Sequence, residues 1–464
     1  MILAWSIMRT CTIVCCFLVI FSTSLKAEVQ IGKRTTTEWI DTLDAASATA
    51  RLQAAEALGK LGGTGEAKTA AKGLIAALAA EKEPQVRHAL LRGIGRMGSE
   101  ATAAVPALIT TLKDTTGQFE AVQALGKIGS PDAIPALAEL LKEEQLCEHA
   151  ARALGSIGPA ALDALEAGLS LGTDAPRARS SAALGIALIA KGQPSSSSGS
   201  EQIQARLLSL LRTTLSDKNQ TVRYWGAYGL GRLEGQGAAV APDLIGALGD
   251  SDAMVSNQAA NALIRISGQA VDALTAAIGD GNSTVRRGVV RALGRISGEI
   301  ASDVIDALAK SLSDADSLVR YEGALSLTRI GSKATGAVAA LVAALEDKES
   351  GVRNQSAEAL TQLGKEAASQ VASKLKKKER RRIVLRLLSK LGDDAEPAAA
   401  AVIEVLDDTD EGIRYEAVRI LERIAPAESK ERLGKLLSDP SERIREAAQN
   451  AIAAIEKRTA SEKS

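Results

Sequence analysis

The sequence repeats one unit about thirteen times along its 464 residues. The recurring pattern begins at a position here called the repeat start, and the starts lie at 50, 86, 117, 146, 178, 222, 255, 285, 319, 352, 380, 413 and 444. Eight residues after every start there is Leu or Ile, and four residues after it a small residue such as Ala54 or Ala259 predominates. Positions 0, 4, 8 and 11 lie on one side of an α-helix, and small side chains let a neighbouring helix approach closely. Each unit therefore contains a helix with one buried side.

A second, shorter apolar stretch completes each unit, as in Val304-Ile305-Asp306-Ala307-Leu308. Several of these stretches begin near a Pro, such as Pro106 and Pro242, which suits the first turn of a helix. A single helical hairpin cannot bury its own apolar side, so the units must stack with a continuous core. Only 2% of the residues are aromatic, which agrees with a closely packed core of small aliphatic side chains. The sequence predicts an all-α fold, an α-solenoid (superhelix) of about 13 helical hairpins.

Segments outside the pattern suggest five parts. We predict a signal peptide at 1–27, about five repeats over 28–191, a Ser-, Gly- and Pro-rich loop at 192–200, about eight repeats over 201–456, and a polar tail at 457–464. The loop either separates two subarrays or is inserted into one solenoid. We favour the inserted loop because the pattern resumes at Glu201.

The first segment indicates export. Its uncharged apolar run from Cys11 to Phe21 follows Arg9 and is shorter than the roughly 18 residues of a membrane-spanning helix. Cleavage after Ala27 predicts a periplasmic or secreted protein, and an uncleaved segment would be an N-terminal membrane anchor. The mature chain keeps one of the four cysteines, Cys147, so it forms no internal disulfide.

Asp and Arg recur at fixed places in the unit. Arg stands one residue after most starts, and in the second half an Asp stands six residues before it. The Asp lies where its carboxylate could cap the second helix, and the Arg could reach an Asp of its own or of the neighbouring repeat. We interpret this pattern as a structural ladder, the alternative being a row of ligand-binding arginines. The ladder residues are Asp217, Arg223, Asp280, Arg286, Asp314, Arg320, Asp347, Arg353, Asp408, Arg414, Asp439 and Arg445.

Helical pairs of about 33 residues with Asp-x5-Arg resemble HEAT repeats, in particular the short HEAT-like repeats of phycobilisome lyase subunits. The stretches Thr221-Val222-Arg223-Tyr224-Trp225-Gly226-Ala227-Tyr228-Gly229-Leu230-Gly231 and Leu318-Val319-Arg320-Tyr321-Glu322-Gly323-Ala324-Leu325 resemble the signature of those repeats. The resemblance covers nearly the whole mature chain. It implies that the second helix of each pair lines a concave surface and that the protein is a scaffold for another protein.

The sequence offers little for catalysis, and we expect no catalytic residue, metal site or cofactor. His88, His149 and Cys147 are the imidazoles and thiol of the mature chain, and Cys147 and His149 stand two residues apart on one helix, so they do not face each other. Neither His is followed by Glu, unlike the iron-binding pairs of the HEAT-like deoxyhypusine hydroxylases. The 56 basic residues balance 56 acidic ones, so we expect no nucleic-acid partner.

Two groups of residues are candidates for binding a partner. The first group consists of residues two positions after the start, which should project from the second helix, together with neighbouring aromatics. These side chains either form an interface or cover the seam between helices. The candidates are His88, Tyr224, Trp225, Tyr228, Arg287, Tyr321, Arg382 and Tyr415.

The second group is the basic segment at 374–390. It either docks an anionic partner or is a solvated turn neutralised by the acids that follow it, Asp393, Asp394 and Glu396. Its candidate contact residues are Lys376, Lys377, Lys378, Arg380, Arg381, Arg382 and Arg386.

These observations favour an exported, non-catalytic scaffold that binds a protein or peptide partner on its concave surface. The resemblance to phycobilisome lyase subunits suggests one alternative, a lyase- or chaperone-like protein that handles a chromophore or another small ligand. A structural part of an envelope assembly is a third hypothesis.

Overall fold

The computed structural model describes residues 31, 33–192, 200–233, 235–296 and 300–462. The predicted signal peptide 1–27 and residues 193–199 of the predicted loop lie outside the described residues. The chain divides into two compact units, unit 1 up to Thr214 and unit 2 from Leu215 onward. This division falls after the helix that follows the loop, whereas one of the two sequence interpretations placed the separation of the subarrays at the loop itself.

Unit 1 consists of helices joined by short connections. They are α1 (Thr36–Thr42), α2 (Ala48–Leu58), α3 (Ala67–Ala80), α4 (Pro84–Arg96), α5 (Val105–Thr111), α6 (Gln118–Ile128), α7 (Ile134–Glu139), α8 (Cys147–Ile157), α9 (Leu162–Leu169), α10 (Pro176–Gly192) and α11 (Ser200–Leu215), the last of which ends at the division.

Unit 2 continues in the same manner. Its helices are α12 (Gln220–Leu230), α13 (Gly237–Ala247), α14 (Ala253–Arg265), α15 (Ser267–Ala276), α16 (Ser283–Leu293), α17 (Ser302–Ser311), α18 (Ser317–Ile330), α19 (Val338–Ala344), α20 (Ser350–Leu363), α21 (Lys365–Ala372), α22 (Arg381–Leu391), α23 (Ala399–Ile403), α24 (Glu411–Ile424), α25 (Lys430–Lys435) and α26 (Glu442–Glu462).

Short 3₁₀ turns extend or precede many helices. They span Gly59–Leu61, Gly98–Ala104, Pro131–Ala133, Leu140–Lys142, Pro159–Ala161, Ala277–Gly279, Gly331–Lys333, Thr335–Ala337, Ser373–Lys376, Lys378–Arg380, Gly392–Ala398, Ala427–Ser429 and Leu436–Ser438. The tighter turn supplies partners to terminal backbone groups that the α-helix leaves unpaired.

The helices alternate as the repeat predicts. Each repeat start lies in, or immediately before, an even-numbered helix, and each odd-numbered helix precedes the even-numbered helix of its pair. Five such pairs in unit 1 and seven in unit 2 pack together among the described residues, which agrees with the expected number of about 13 hairpins. Within each unit, every even-numbered helix packs against the next even-numbered one. The predicted all-α solenoid of helical hairpins is therefore confirmed.

The core lies where the helical pattern places it. The Leu or Ile eight residues after each start is almost completely buried in every described repeat except that of α26, where Ile452 is half-buried. Residues 457–462 of the predicted polar tail continue α26, and Arg458 donates from Nη1 to the carbonyl oxygen of Ile424 in the preceding repeat. None of the helices in the described part of the chain has the length and apolar character needed to cross a membrane.

Candidate partner-binding surface

Ladder arginines make two kinds of bond at once. Within its own repeat, Arg320 donates from Nη1 to the backbone oxygens of Asp314 (2.9 Å) and Ala315 (3.1 Å). Towards the next repeat, its Nε and Nη2 donate to the two carboxylate oxygens of Asp347, at 2.6 and 3.0 Å. The charge partner of the Arg is thus the Asp of the neighbouring repeat. The same bidentate pairing joins Arg223 to Asp250, Arg286 to Asp314 and Arg414 to Asp439.

The sequence suggested that the ladder Asp caps the following helix. In the structure it does not do so directly. Asp314 accepts at Oδ1 from the N–H of Asp316, at 2.8 Å, and this bond closes the turn. Asp316 is the residue that caps α18, because its own Oδ1 accepts from the N–H of Leu318 at 2.8 Å. The hydrogen bond from Arg286 lowers the pKa of Asp314 below its ordinary value. One carboxylate therefore fixes both the turn and the contact between repeats.

Other ladder residues follow part of this arrangement. Arg381, one residue after the start at 380, pairs with Asp408, and Arg353 and Arg445 bond their own turns through the backbone oxygens of Asp347 and Asp439. Among the described residues, Arg353 lacks a carboxylate partner because the next repeat has Leu375 at the Asp position. Asp280 likewise lacks an arginine partner in the described part of the chain, because the preceding repeat has Ser256 at the Arg position. Asp217 and Asp280 accept from the backbone N–H groups of Asn219 and Asn282. The bonded guanidinium groups are occupied within the protein, which favours the structural interpretation.

Three of the candidate partner-binding residues lie together on α12. The ring of Trp225 packs edge-on between Tyr224, at a centroid distance of 5.0 Å, and Tyr228, at 5.5 Å. The guanidinium of Arg232 lies over the ring of Tyr228 at 4.9 Å. All three aromatic side chains are half-buried, so part of each ring remains exposed. We call Tyr224, Trp225 and Tyr228 the aromatic group.

The remaining candidates are spread along the array. Arg287 is half-buried on α16, and Tyr321 is 38% exposed on α18, where its ring lies beside Gly351 of the next repeat. The contacts of the others also cross to the following repeat: His88 Nδ1 to Glu120 at 2.7 Å, Arg382 to Asp410 at 2.6 Å, and Arg443 over the ring of Tyr415 at 3.5 Å. These contacts agree with the seam-covering alternative at those positions.

The basic segment is neutralised by other acids than the sequence suggested. Asp393 pairs with Arg423 at 3.0 Å and Glu396 with Lys365 at 3.3 Å, so these two carboxylates are paired with side chains outside the segment. Instead, the carboxylate of Glu346 on the preceding repeat lies within 4 Å of three cations of the basic segment. Those ion pairs are Lys374 (3.5 Å), Lys377 (3.4 Å) and Arg380 (3.8 Å), while Arg381 and Arg382 pair with Asp408 and Asp410. Lys376, Lys378 and Arg386 are exposed.

A groove between α12 and α14 was not predicted. Its volume is about 570 Å³, and its polar lining includes Tyr228, Arg232, Gln258, Asn261 and Arg265. The signal that could have found it is in the repeat itself, because Arg232 and Arg265 both stand ten residues after their repeat starts. A comparison of that position across the repeats would have revealed the row of cations.

The thiol of Cys147 and the imidazole of His149 do not form a reactive pair. Cys147 is buried and its Sγ donates to the backbone oxygen of Glu144 at 3.5 Å, whereas His149 packs its ring edge-on against Phe119 at 4.3 Å. Among the described residues there is no group of three or more His, Cys, Asp or Glu side chains arranged to hold a metal ion.

Comparison with solved structures gives distant matches. An engineered protein is 21% identical over 91% of this chain and 98% of its own, with a TM-score of 0.25. Kap121p bound to Nup53p is 14% identical over 90% of this chain, with a TM-score of 0.49, and this chain spans about half (49%) of its length. Importin beta is 13% identical over 91% of this chain and 68% of its own, with a TM-score of 0.40. No curated protein matches the sequence.

The family comparison covers most of the array. The model described as HEAT repeats matches residues 71–146, 118–187, 241–328, 305–392 and 399–463, which together make up more than half of the chain. These ranges contain most of the stacked hairpins and most of the ladder residues described above. This chain belongs to the HEAT-repeat family.

Proposed function

We propose that this protein is an exported, non-catalytic scaffold that binds a protein or peptide partner on the exposed side of its even-numbered helices. The resemblance of the sequence to HEAT repeats assigns that side to the concave surface. The ladder occupies one end of these helices and holds the repeats in register, so the remainder of the exposed side is available to a partner.

The observation that carries the proposal is the aromatic group on α12. Trp225 and Tyr228 are large, half-buried rings that pack edge-on against each other, and Tyr228 lies under the guanidinium of Arg232 at the edge of a groove of about 570 Å³. Large aromatic side chains and arginines supply most of the binding free energy in protein interfaces, because they bury apolar area and keep a polar end for hydrogen bonds.

The test compares the partner bound by the processed wild-type protein with that bound by variants. The protein is purified from its native extracytoplasmic fraction and bound proteins are identified and quantified by mass spectrometry. Trp225→Ala with Tyr228→Ala should weaken binding of a stoichiometric partner at least about tenfold. Leu437→Ala is the control, because Leu437 is an apolar residue that is 42% exposed and lies in the turn Leu436–Ser438, outside the even-numbered helices.

Two results would overturn the proposal. Unchanged partner binding by the double variant would exclude the aromatic group, and a stoichiometric chromophore in the absorption spectrum would favour the lyase- or chaperone-like alternative. Export is tested by the N-terminus of the same preparation, which should begin at Glu28 if the chain is cleaved after Ala27.

A further inference from the structure

Four arginines occupy the same place in four consecutive repeats of unit 2. They stand ten residues after the starts at 222, 255, 285 and 319, in or just beyond the last turns of α12, α14, α16 and α18. Successive members of this helix series pack against each other. Equivalent positions on packed helices follow one another at about 8 to 10 Å. We call Arg232, Arg265, Arg295 and Arg329 the basic row.

The helices that carry the basic row contain almost no acid. Neither Asp nor Glu occurs in α12, α14 or α16, and Glu322 is the one acidic residue of α18. Glu322 serves two arginines, Arg291 at 3.4 Å and Arg329 at 3.3 Å. Arg265 and Arg295 are exposed, and no ion pair with either is recorded among the described residues. Among the described residues, the exposed side of these helices therefore carries more positive charge than Glu322 alone balances.

A structural role at the helix ends explains only part of this arrangement. Cations are favoured near the C-terminus of a helix by its dipole, which accounts for an Arg in the last turn. At the same place in α24, however, Arg423 is paired with Asp393 at 3.0 Å, and Arg419 on the preceding turn pairs with Glu422 at 2.6 Å. The repeat of α24 thus pairs its Arg at this place with an acid, as Glu322 does for Arg329, whereas Arg265 and Arg295 have no ion pair among the described residues.

The groove between α12 and α14 adds uncharged hydrogen-bonding groups beside the row. Gln258 and Asn261 line it between Arg232 and Arg265. A carboxamide both donates and accepts, so it can bond the N–H and C=O groups of a peptide backbone. The ring of Tyr228 under Arg232 holds that guanidinium over the groove edge.

We propose that the basic row binds an extended acidic protein segment. This proposal rests on the proposed scaffold function and specifies the chemistry of its partner. Carboxylates form bidentate, charge-assisted hydrogen bonds with arginine. An extended chain in the polyproline II conformation has three residues per turn and advances about 3.1 Å per residue, so every third side chain lies on the same side at about the helix spacing. A single-stranded nucleic acid fits less well, because aromatic rings for base stacking lie at one end of the row and not along it.

The direct test is fluorescence anisotropy with the full chain and labelled peptides. The first probe has about twelve residues with Glu at every third position and Gly or Ser between, and the second probe has Gln in place of Glu. The Glu probe should bind, and its affinity should fall as salt is added. It should bind the Arg265→Ala, Arg295→Ala double variant at least about tenfold more weakly than the wild type. The Gln probe should not bind measurably.

The matched control is Arg152→Ala with Arg177→Ala. It removes the same charge from exposed positions, but both arginines are already paired, with Glu148 and Glu144, each at 2.8 Å. Binding of the Glu probe should be unchanged in this control. Thermal unfolding monitored by circular dichroism verifies that both double variants remain folded.

Three outcomes would contradict the acidic-segment proposal: no binding of the Glu probe, equal binding of the Gln probe, or equal weakening in the two double variants. An oligonucleotide that binds more tightly than the Glu probe and loses affinity in Arg265→Ala, Arg295→Ala would assign the row to nucleic acid instead. A native protein partner that is lost with the Trp225 and Tyr228 substitutions but retained by the basic-row variant would overturn this inference and leave the scaffold function standing.

Discussion

A guanidinium is the one side-chain group that satisfies the geometry found at Arg320. Its planar fork provides five N–H donors in fixed directions, and here Nη1 faces the turn of its own repeat while Nε and Nη2 face Asp347 of the next. Both side chains of this ion pair are only 8% exposed. A Lys would provide the charge without the second set of bonds, so the residue type follows from the two simultaneous contacts.

Replacing a ladder arginine should destabilise the protein more when that arginine is paired with a carboxylate of the next repeat. Arg320→Ala leaves Asp347 buried without its counter-ion, and we expect the free energy of unfolding to fall by about 3 kcal/mol. Arg353→Ala is the control, because Arg353 bonds its own turn in the same way but the next repeat has Leu375 at the Asp position. For this variant we expect the free energy of unfolding to fall by about 1 kcal/mol. Urea denaturation, with hydrogen exchange of α18 and α20 as a local probe, measures both. Equal losses would show that the bonds between repeats contribute little.

At the scale of the helix, close approach is achieved with glycine. Nine residues after several starts a Gly packs against a small residue of the next repeat. A Cβ placed on Gly231 would lie 2.5 Å from the Cβ and 2.8 Å from the Cα of Ala262. Contact with backbone atoms cannot be relieved by a side-chain rotation. The separation of α12 and α14 therefore depends on the missing side chain of Gly231 and the small one of Ala262.

Alanine substitutions at Gly231 and Gly246 should distinguish the effect of helix packing on stability from the effect of helix propensity. Gly231→Ala must push α12 and α14 apart, and we expect it to lower the free energy of unfolding by about 1 to 3 kcal/mol. Gly246→Ala, on exposed α13 surface with no atom near the new Cβ, should raise it by about 0.5 to 1 kcal/mol. Chemical denaturation of the two variants measures the difference. A stabilising Gly231→Ala would mean that the helices have room that the structure does not contain.

Across the whole molecule, the ladder links stability to pH. Hydrogen bonds from arginine lower the pKa of Asp250, Asp314, Asp347 and Asp439 in unit 2, and Arg51 does the same for Glu81 in unit 1. A carboxyl group with a lowered pKa in the folded protein contributes its full stability above the pKa of the unfolded chain. That contribution is lost as the pH falls through the folded-state pKa.

We therefore expect the thermal unfolding temperature to be insensitive to ladder protonation between about pH 5 and 7 and to fall steeply below the ordinary Asp pKa of 3.8. Asp347→Asn should lower stability at neutral pH and make the acid dependence shallower. Asp272→Asn, an exposed position outside the ladder, is the control and should keep the wild-type slope. An identical slope in the two variants would contradict a ladder origin of the acid sensitivity.

The sequence by itself determined the all-α class, the stacked helical hairpins and the Leu or Ile that is buried in all but the last repeat. It could do so because helical periodicity and stacking are local properties that recur in every unit. It also located the ladder residues, since Asp and Arg recur at fixed spacing within one unit. The aromatic group on α12 was predictable for the same reason, because all three residues are neighbours on one helix.

Only the tertiary structure decided which partners these residues take. Arg320 and Asp347 are 27 residues apart, and Glu346, not the acids that follow in sequence, pairs with the basic segment. The groove between α12 and α14 and the unbalanced charge of the basic row likewise depend on residues of successive repeats. These contacts are set by how closely and in what register neighbouring helices pack, and packing brings together side chains whose separation along the chain carries no local signal.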